Sequence, residues 1–131
     1  MKKLILVRGV SGAGKSTMAA MLGQRENTHT IAADDYWGPN YDFDVSKLHL
    51  AHTWCQFMAR SYLGNDWDVV VHNTATTEKD VEIYQSIAKE HGAEFFSIIV
   101  ENRHGNDSIH GVPTQVRAAQ ERKLRSSIKL I

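Results

Sequence analysis

The segment Gly9-Val10-Ser11-Gly12-Ala13-Gly14-Lys15-Ser16-Thr17 follows directly on the apolar run Leu4-Ile5-Leu6-Val7. Order carries more weight than the match to G-x-x-x-x-G-K-[ST] alone. An apolar run, a glycine loop and then the helical spacing of Met18, Ala19, Met21 and Leu22 give the strand, loop and helix start that the pattern requires. Glycines let successive backbone N–H groups turn into one concavity, and the helix that follows adds the positive end of its dipole. Such a nest fits the phosphates of a nucleoside triphosphate. Gly9, Ser11, Gly12, Ala13, Gly14 and Thr17 build the cradle, Lys15 is expected to reach the β- and γ-phosphates, and the Ser16 hydroxyl completes the coordination of Mg²⁺.

The bulk properties bound the rest. A chain of 131 residues with 42% hydrophobic content reads as one domain spanning residues 1–131, so a second substrate must bind on the same domain as the first. Lys+Arg and Asp+Glu each number 15, which removes the global basic footprint of a tight duplex binder. Cys55, the one cysteine, sits in a helical apolar pattern and reads as a small buried hydrophobe, in keeping with a reducing compartment. The apolar start is broken by Arg8 after four residues, so it reads as a first strand and not as a signal peptide. No apolar run has the length of a membrane span, and the expectation is a cytoplasmic protein with no membrane partner.

Strands and helices alternate along the chain. Helical spacing covers residues 16–24 and a short strand 28–33, after which Asp34-Asp35-Tyr36-Trp37-Gly38-Pro39-Asn40 supplies turn residues and leaves two carboxylates at the strand's C-terminal edge. Leu48, Ala51, Cys55, Met58, Ala59 and Tyr62 predict a helix over 46–63, with Ser46 as its cap and Gly64 and Asn65 as its stop. Residues 67–71 form a third strand that ends on His72-Asn73-Thr74. Thr77 and Asp80 open a helix to residue 91 as a variant capping box, and 95–100 is the fourth strand. Residues 101–112 carry no hydrophobic period and read as a lid loop, and Pro113 starts a last, basic helix to about residue 126. The fold class is therefore α/β, a three-layer P-loop NTPase fold with a four-stranded parallel sheet and helices on both faces.

A triphosphate cradle serves kinases, hydrolases and switches alike, so the other strand ends must discriminate. The guanine-reading N-K-x-D sequence is absent, since Thr77-Glu78-Lys79-Asp80 lacks the asparagine. Asp34 and Asp35 sit where a hydroxyl acceptor would lie in line with the terminal phosphate, and Asp34 is the expected base for the hydroxyl proton. Arg103, His104 and His110 are cations that a closing lid would bring onto the developing phosphoryl charge.

Taken together these segments resemble the P-loop kinase domain of the bacteriophage 5′-polynucleotide kinase family and the related small P-loop kinases of the zeta-toxin-like and ATPase-associated groups. The resemblance rests on Gly9 to Thr17, Asp34-Asp35-Tyr36, His72-Asn73-Thr74, Ile87-Ala88-Lys89-Glu90-His91-Gly92 and His110-Gly111-Val112-Pro113 in this order. It implies ATP as donor and phosphoryl transfer to the 5′-hydroxyl of a polynucleotide or nucleotide, with Lys15 and Ser16 at the phosphates, Asp34 as general base and Arg103 as the lid arginine. The acceptor is then expected to meet Asp35, Tyr36, Trp37, Asn73 and Thr74, with Trp37, Tyr41 and Phe43 available to stack a base of a single strand.

Departures from that family alter the acceptor side. Ala33 precedes Asp34 and Trp37 follows Tyr36, where the family surrounds the base with arginines; His72 replaces an acidic residue at the tip of strand three. Metal assistance then falls to Ser16 and Asp35. Asn106, Asp107 and Ser108 stand where an arginine commonly precedes the His-Gly-Val-Pro run. Two alternatives stay open: a small-metabolite kinase, and an ATP-binding adaptor or slow ATPase, for which the basic helix with Arg117, Arg122, Lys123 and Arg125 offers a partner surface or simply a solvated face.

Overall fold

The computed structural model describes residues 1–104 and 111–131, so His110 of the expected lid lies outside the described residues. The chain runs β1 (Lys3–Arg8), α1 (Lys15–Leu22), β2 (Thr28–Ile31), α2 (Leu48–Gly64), β3 (Asp68–His72), α3 (Glu78–Glu90), β4 (Glu94–Ile99) and α4 (Thr114–Ser126). All strands are parallel in the order β2-β3-β1-β4, with Leu4 opposite Val69 on one side and Phe95 on the other. β1 and β3 are the central strands, covered on both faces, which is why both read as continuous apolar runs. The two edge strands β2 and β4 are more mixed, and Phe96 of β4 is 45% exposed.

The alternation of side chains divides the core between two faces. Leu4, Leu6, Ile31, Val69 and Val71 pack against α2 and α3, through Cys55, Ala59, Leu63, Tyr84 and Ile87 among others. Ile5, Val7 and Val70 face the other way onto Ala19 of α1, flanked by Met18 and Leu22. Each fully buried leucine or valine contributes about 1.5–3 kcal/mol, so the central strands dominate the stabilisation. The expected three layers and parallel sheet are present, and Cys55 is buried as its position implies.

Among the boundaries that differ from the sequence reading, two do so because a side chain captures a backbone group. β2 stops at Ile31, and Ala33–Trp37 winds into a 3₁₀ turn. The Asp35 carboxylate accepts from the Ala32 N–H (2.9 Å), and the Asn73 side-chain oxygen accepts from the Ala33 N–H (2.9 Å). Both donors are thereby removed from the strand ladder. Ser46 does not cap α2; the Asp44 carboxylate accepts from the Ser46 amide (3.0 Å) and hydroxyl (2.7 Å), capping a 3₁₀ turn over Val45–Lys47 that leads into the helix. These bonds hold the Asp44 carboxyl below the usual carboxylate range. Pro113 lies outside α4 as its N-cap residue, at ψ 145°. The Thr77–Asp80 capping box of α3, by contrast, forms as expected, with the Asp80 amide donating to the Thr77 hydroxyl (3.2 Å).

Two large side chains have unanticipated places. Trp37 is only 6% exposed and packs in the core against Phe43 and Tyr36, with its indole nitrogen buried and unpartnered among the described residues. It therefore acts as a core residue, not as an acceptor contact. Trp37→Ala is expected to cost about 3–5 kcal/mol by emptying this volume, whereas Trp37→Phe, which also deletes the unpaired N–H, is expected to cost under half of that in chemical denaturation. Arg8, 3% exposed at the end of β1, donates to the Ala75 carbonyl (2.9 Å), the Ser97 hydroxyl (3.2 Å) and the Ser127 hydroxyl (2.5 Å). It joins β1 to the loop after β3, to β4 and to the end of α4.

Candidate active site

In an open parallel sheet the site lies beyond the C-terminal strand ends, where neighbouring connections depart in opposite directions. Here that place is the end of β1, flanked by β3 and β4. The loop leaving it can turn tightly for two reasons. A Cβ on Gly9 would lie 2.8 Å from the Val100 carbonyl, and Gly14 stands at φ +99°, a conformation that suits glycine. Gly14 is also the N-cap residue of α1 and offers no side-chain cap. The amides of Lys15, Ser16 and Thr17, in the helix's first turn, have no intrahelical acceptor and remain available to an anion.

Lys15 turns back over this loop, its ammonium donating to the Val10 carbonyl (2.9 Å). Burial pulls the amine down to about 8, partly opposed by the nearby Asp34 carboxylate. The loop is braced from the far end of the chain. Gln120 of α4 accepts from the Ser11 N–H (2.9 Å) through its side-chain oxygen, while Arg117 of α4 donates to the Ser11 carbonyl (3.2 Å). Both main-chain groups of Ser11 are thus tied to the same helix. A ring nitrogen of His104 lies 3.0 Å from the Ala13 carbonyl.

Opposite the loop stands the 3₁₀ turn that carries Asp34 and Asp35. Asn73 positions it, since its amide nitrogen also donates to the Tyr84 hydroxyl (3.3 Å) while its oxygen holds Ala33. The Tyr41 hydroxyl donates to the Asp34 carboxylate (3.2 Å). Burial and that carboxylate push the phenol up to about 12, which keeps it a donor at neutral pH. Tyr41 adopts φ +49°, a backbone state that costs a non-glycine residue about 1–3 kcal/mol. The turn is closed around it by the Tyr41 amide on the Gly38 carbonyl (3.1 Å) and the Asp42 amide on the Trp37 carbonyl (3.2 Å).

The loop and the turn face a common cavity of about 1290 Å³, above the roughly 300–1,000 Å³ of a typical one-ligand pocket. Ser11 through Thr17 line it together with Asp34, Asp35, Asn73 and Thr74. His72 also faces in, and burial lowers its pKa below the ordinary histidine value, which favours a neutral ring. Other expected residues fall elsewhere. Gly9 acts beneath the loop, its amide donating to the Thr74 carbonyl (3.4 Å), and Tyr36 meets Trp37 edge-on and Trp54 at a tilt, outside the lining. Arg103 points to solvent with an 85% exposed side chain and pairs with Glu101. Among the described residues of the expected lid, its neighbour His104 reaches the loop.

Sequence reading missed Gln120 and took Arg117 for part of a solvated or partner-binding face. Their i, i+3 spacing on one helix was the available signal; a partner 106 residues away for Arg117 and 109 for Gln120 was not visible in it.

Comparison with known proteins agrees with this architecture. The structure resembles that of the Pnkp1/Rnl/Hen1 complex with a TM-score of 0.66 and 15% identity, covering 99% of this chain and 40% of the other. It also resembles APS kinase CysC of Mycobacterium tuberculosis, solved with AMPPNP and APS, with a TM-score of 0.57 and 21% identity over 76% of this chain and 62% of that one. Among curated proteins, human NEDD4-binding protein 2 is 32% identical over 92 residues, which cover 67% of this chain and 5% of that protein's length. Residues 4–106 match the AAA_33 model of an AAA domain, and with that match and the parallel sheet around its phosphate loop the chain belongs to this family and has the fold of the P-loop kinases.

Proposed function

We propose that this domain transfers the γ-phosphoryl group of ATP to a hydroxyl acceptor. The observation that carries the reading is that Lys15, turned back over the glycine loop, and Asp34, on a hydrogen-bonded turn, line one cavity. In this reaction the acceptor oxygen forms a bond to the γ-phosphorus, the bridging bond to the β-phosphate breaks, ADP leaves, and the hydroxyl proton passes to the Asp34 carboxylate. Lys15 and the first-turn amides of α1 hold the phosphate charge.

The donor set also fits magnesium brought in with the triphosphate. Among the described residues no group of three or more His, Cys, Asp or Glu side chains forms a metal cage of its own. The exposed Ser16 hydroxyl and the Asp35 carboxylate line the cavity as hard oxygen donors, which suits an ion that keeps phosphate and water among its ligands. Magnesium would neutralise phosphate charge there. One Asp35 oxygen already accepts from the Ala32 N–H, so that carboxylate has its other oxygen to offer.

Two acceptor classes have support. The motif order and the likeness to a Pnkp1-containing complex favour the 5′-hydroxyl of a polynucleotide or nucleotide. The cavity lining, in which Lys15 is the lone Lys or Arg among the described residues, favours a small uncharged molecule. Incubation with γ-labelled ATP and a panel of 5′-hydroxyl oligonucleotides, nucleosides and sugars tests the reading: a labelled acceptor is the expected result. ATP binding or slow hydrolysis without labelled product would favour the adaptor alternative and overturn the kinase.

The lowered pKa of Lys15 gives this reading a pH dependence. Phosphate needs the ammonium form, and the free protein loses it as pH rises through about 8. Affinity for ATP is therefore expected to be level below pH 7.5 and to fall by up to tenfold per unit above pH 8. Calorimetric titration across pH 6.5–9.5 measures this, and Lys15→Met should bind weakly with the slope removed.

A further inference from the structure

One peptide unit of the glycine loop is held at both ends by side chains that line the cavity. The Val10 carbonyl accepts from the Lys15 ammonium (2.9 Å), and the Ser11 N–H of the same unit donates to the Gln120 side-chain oxygen (2.9 Å). Lys15 enters the cavity from the start of α1 and Gln120 from α4. A peptide unit is planar, and this one is trans, so its carbonyl and its N–H point in opposite directions. Fixing either end fixes the other. Arg117 donates to the Ser11 carbonyl (3.2 Å), which belongs to the next unit, so α4 governs the tilt of two successive units.

We infer that Gln120 is a positioning residue for the donor nucleotide and acts through Lys15: by holding the Ser11 N–H toward α4, it aims the Val10 carbonyl at the lysine. Were the unit turned by half a rotation, an N–H would stand against the ammonium, two donors face to face. Lys15 would then lose the contact that folds it back over the loop. An ammonium has three donors, so Lys15 can keep the Val10 carbonyl and still reach the β- and γ-phosphates. The contact restricts a long, flexible side chain before the nucleotide arrives, which lessens the ordering cost of binding. Gln120 brings no charge to the site. Its contribution is an acceptor placed where the Ser11 N–H needs one. The inference rests on the reading of the cradle as an ATP site, and it holds whatever the acceptor.

A double-mutant cycle separates this role from plain support of the loop. The Kd for ATP is measured for the unaltered protein, Gln120→Leu, Lys15→Met and the double variant, by calorimetry or, where binding is weak, by NMR titration. Far-UV circular dichroism melts check that each is folded, and Gln120→Met takes the place of Gln120→Leu should the latter not fold. Gln120→Leu keeps the bulk and removes the acceptor, so it is expected to raise Kd about tenfold, the scale of one lost hydrogen bond. In the Lys15→Met background the same change is expected to move Kd by less than about twofold, because the residue through which it acts is gone. A rise as large in the Lys15→Met background as in the unaltered one, or no rise in either, overturns the inference and leaves the nucleotide site standing. No ATP binding by the unaltered protein overturns both.

Discussion

Asp34→Asn is expected to lower kcat for acceptor phosphorylation by about 10²–10⁴-fold, the usual contribution of a positioned general base, while leaving the Kd for ATP within about twofold. The separation follows from where the residue stands. Asp34 lies on the 3₁₀ turn and not in the glycine loop, and its described side-chain hydrogen bond comes from Tyr41 and not from the loop. Its loss should therefore be felt in the transition state and not in donor binding. Tyr41→Phe gives the contrast. The phenol is held near 12 and cannot serve as the base at neutral pH, so removing its hydroxyl should cost about tenfold or less through looser placement of Asp34. Single-turnover rates with saturating ATP, together with calorimetric Kd values, decide the matter. An Asp34→Asn protein that transfers phosphate at the unaltered rate would remove Asp34 from the mechanism.

Arg8→Ala is expected to lower stability by about 3 kcal/mol, since hydrogen bonds to charged groups are worth about 1.5–3 kcal/mol each and the acceptors left behind are buried. For a domain of this size that amounts to a fall in Tm of roughly 10 °C. The guanidinium serves three acceptors on separate segments, the Ala75 carbonyl and the Ser97 and Ser127 hydroxyls. No carboxylate pairs directly with it among the described residues, but Glu78 and Asp80 lie near enough to oppose the lowering of its pKa by burial. Arg8→Lys keeps the charge and loses the planar fork, so it should fall between Ala and the unaltered protein. Thermal unfolding followed by far-UV circular dichroism gives the ranking, and equal Tm values for all three proteins would contradict it.

Much of this molecule was legible in the order of its residues, and what was legible shares one property. The glycine loop, the central strands and the capping box of α3 are encoded by neighbours within a few positions: Gly9 and Gly14 by the turn they permit, Leu4 to Val7 by their unbroken apolarity, Thr77 and Asp80 by reciprocal reach. Features made by distant partners were hidden. Asn73 reads as a polar strand tip, yet it is buried because it meets Ala33 and Tyr84 in space. Trp37 follows two exposed carboxylates and looked available for stacking, but the 3₁₀ turn rotates it inward. Arg103 and His104 are adjacent, and only the course of the backbone after β4 decides which of them comes to the loop.

Arg117 and Gln120 illustrate the same limit most fully. They sit in a helix whose own pattern explains them as surface residues, and nothing near them in the chain calls for a peptide bond as partner. Because each bonds to the main chain of Ser11 and not to its side chain, replacing Ser11 would not expose the link either.

That brace also sets the order in which a nascent polypeptide can become competent. Ser11 leaves the ribosome 109 residues ahead of Gln120, a delay of roughly 5–20 s at ordinary elongation speeds. Ser127, the last partner of Arg8, trails by 119 residues. Until translation has passed both positions, the glycine segment has its motif but lacks its support, so a growing chain should acquire nucleotide affinity late and abruptly.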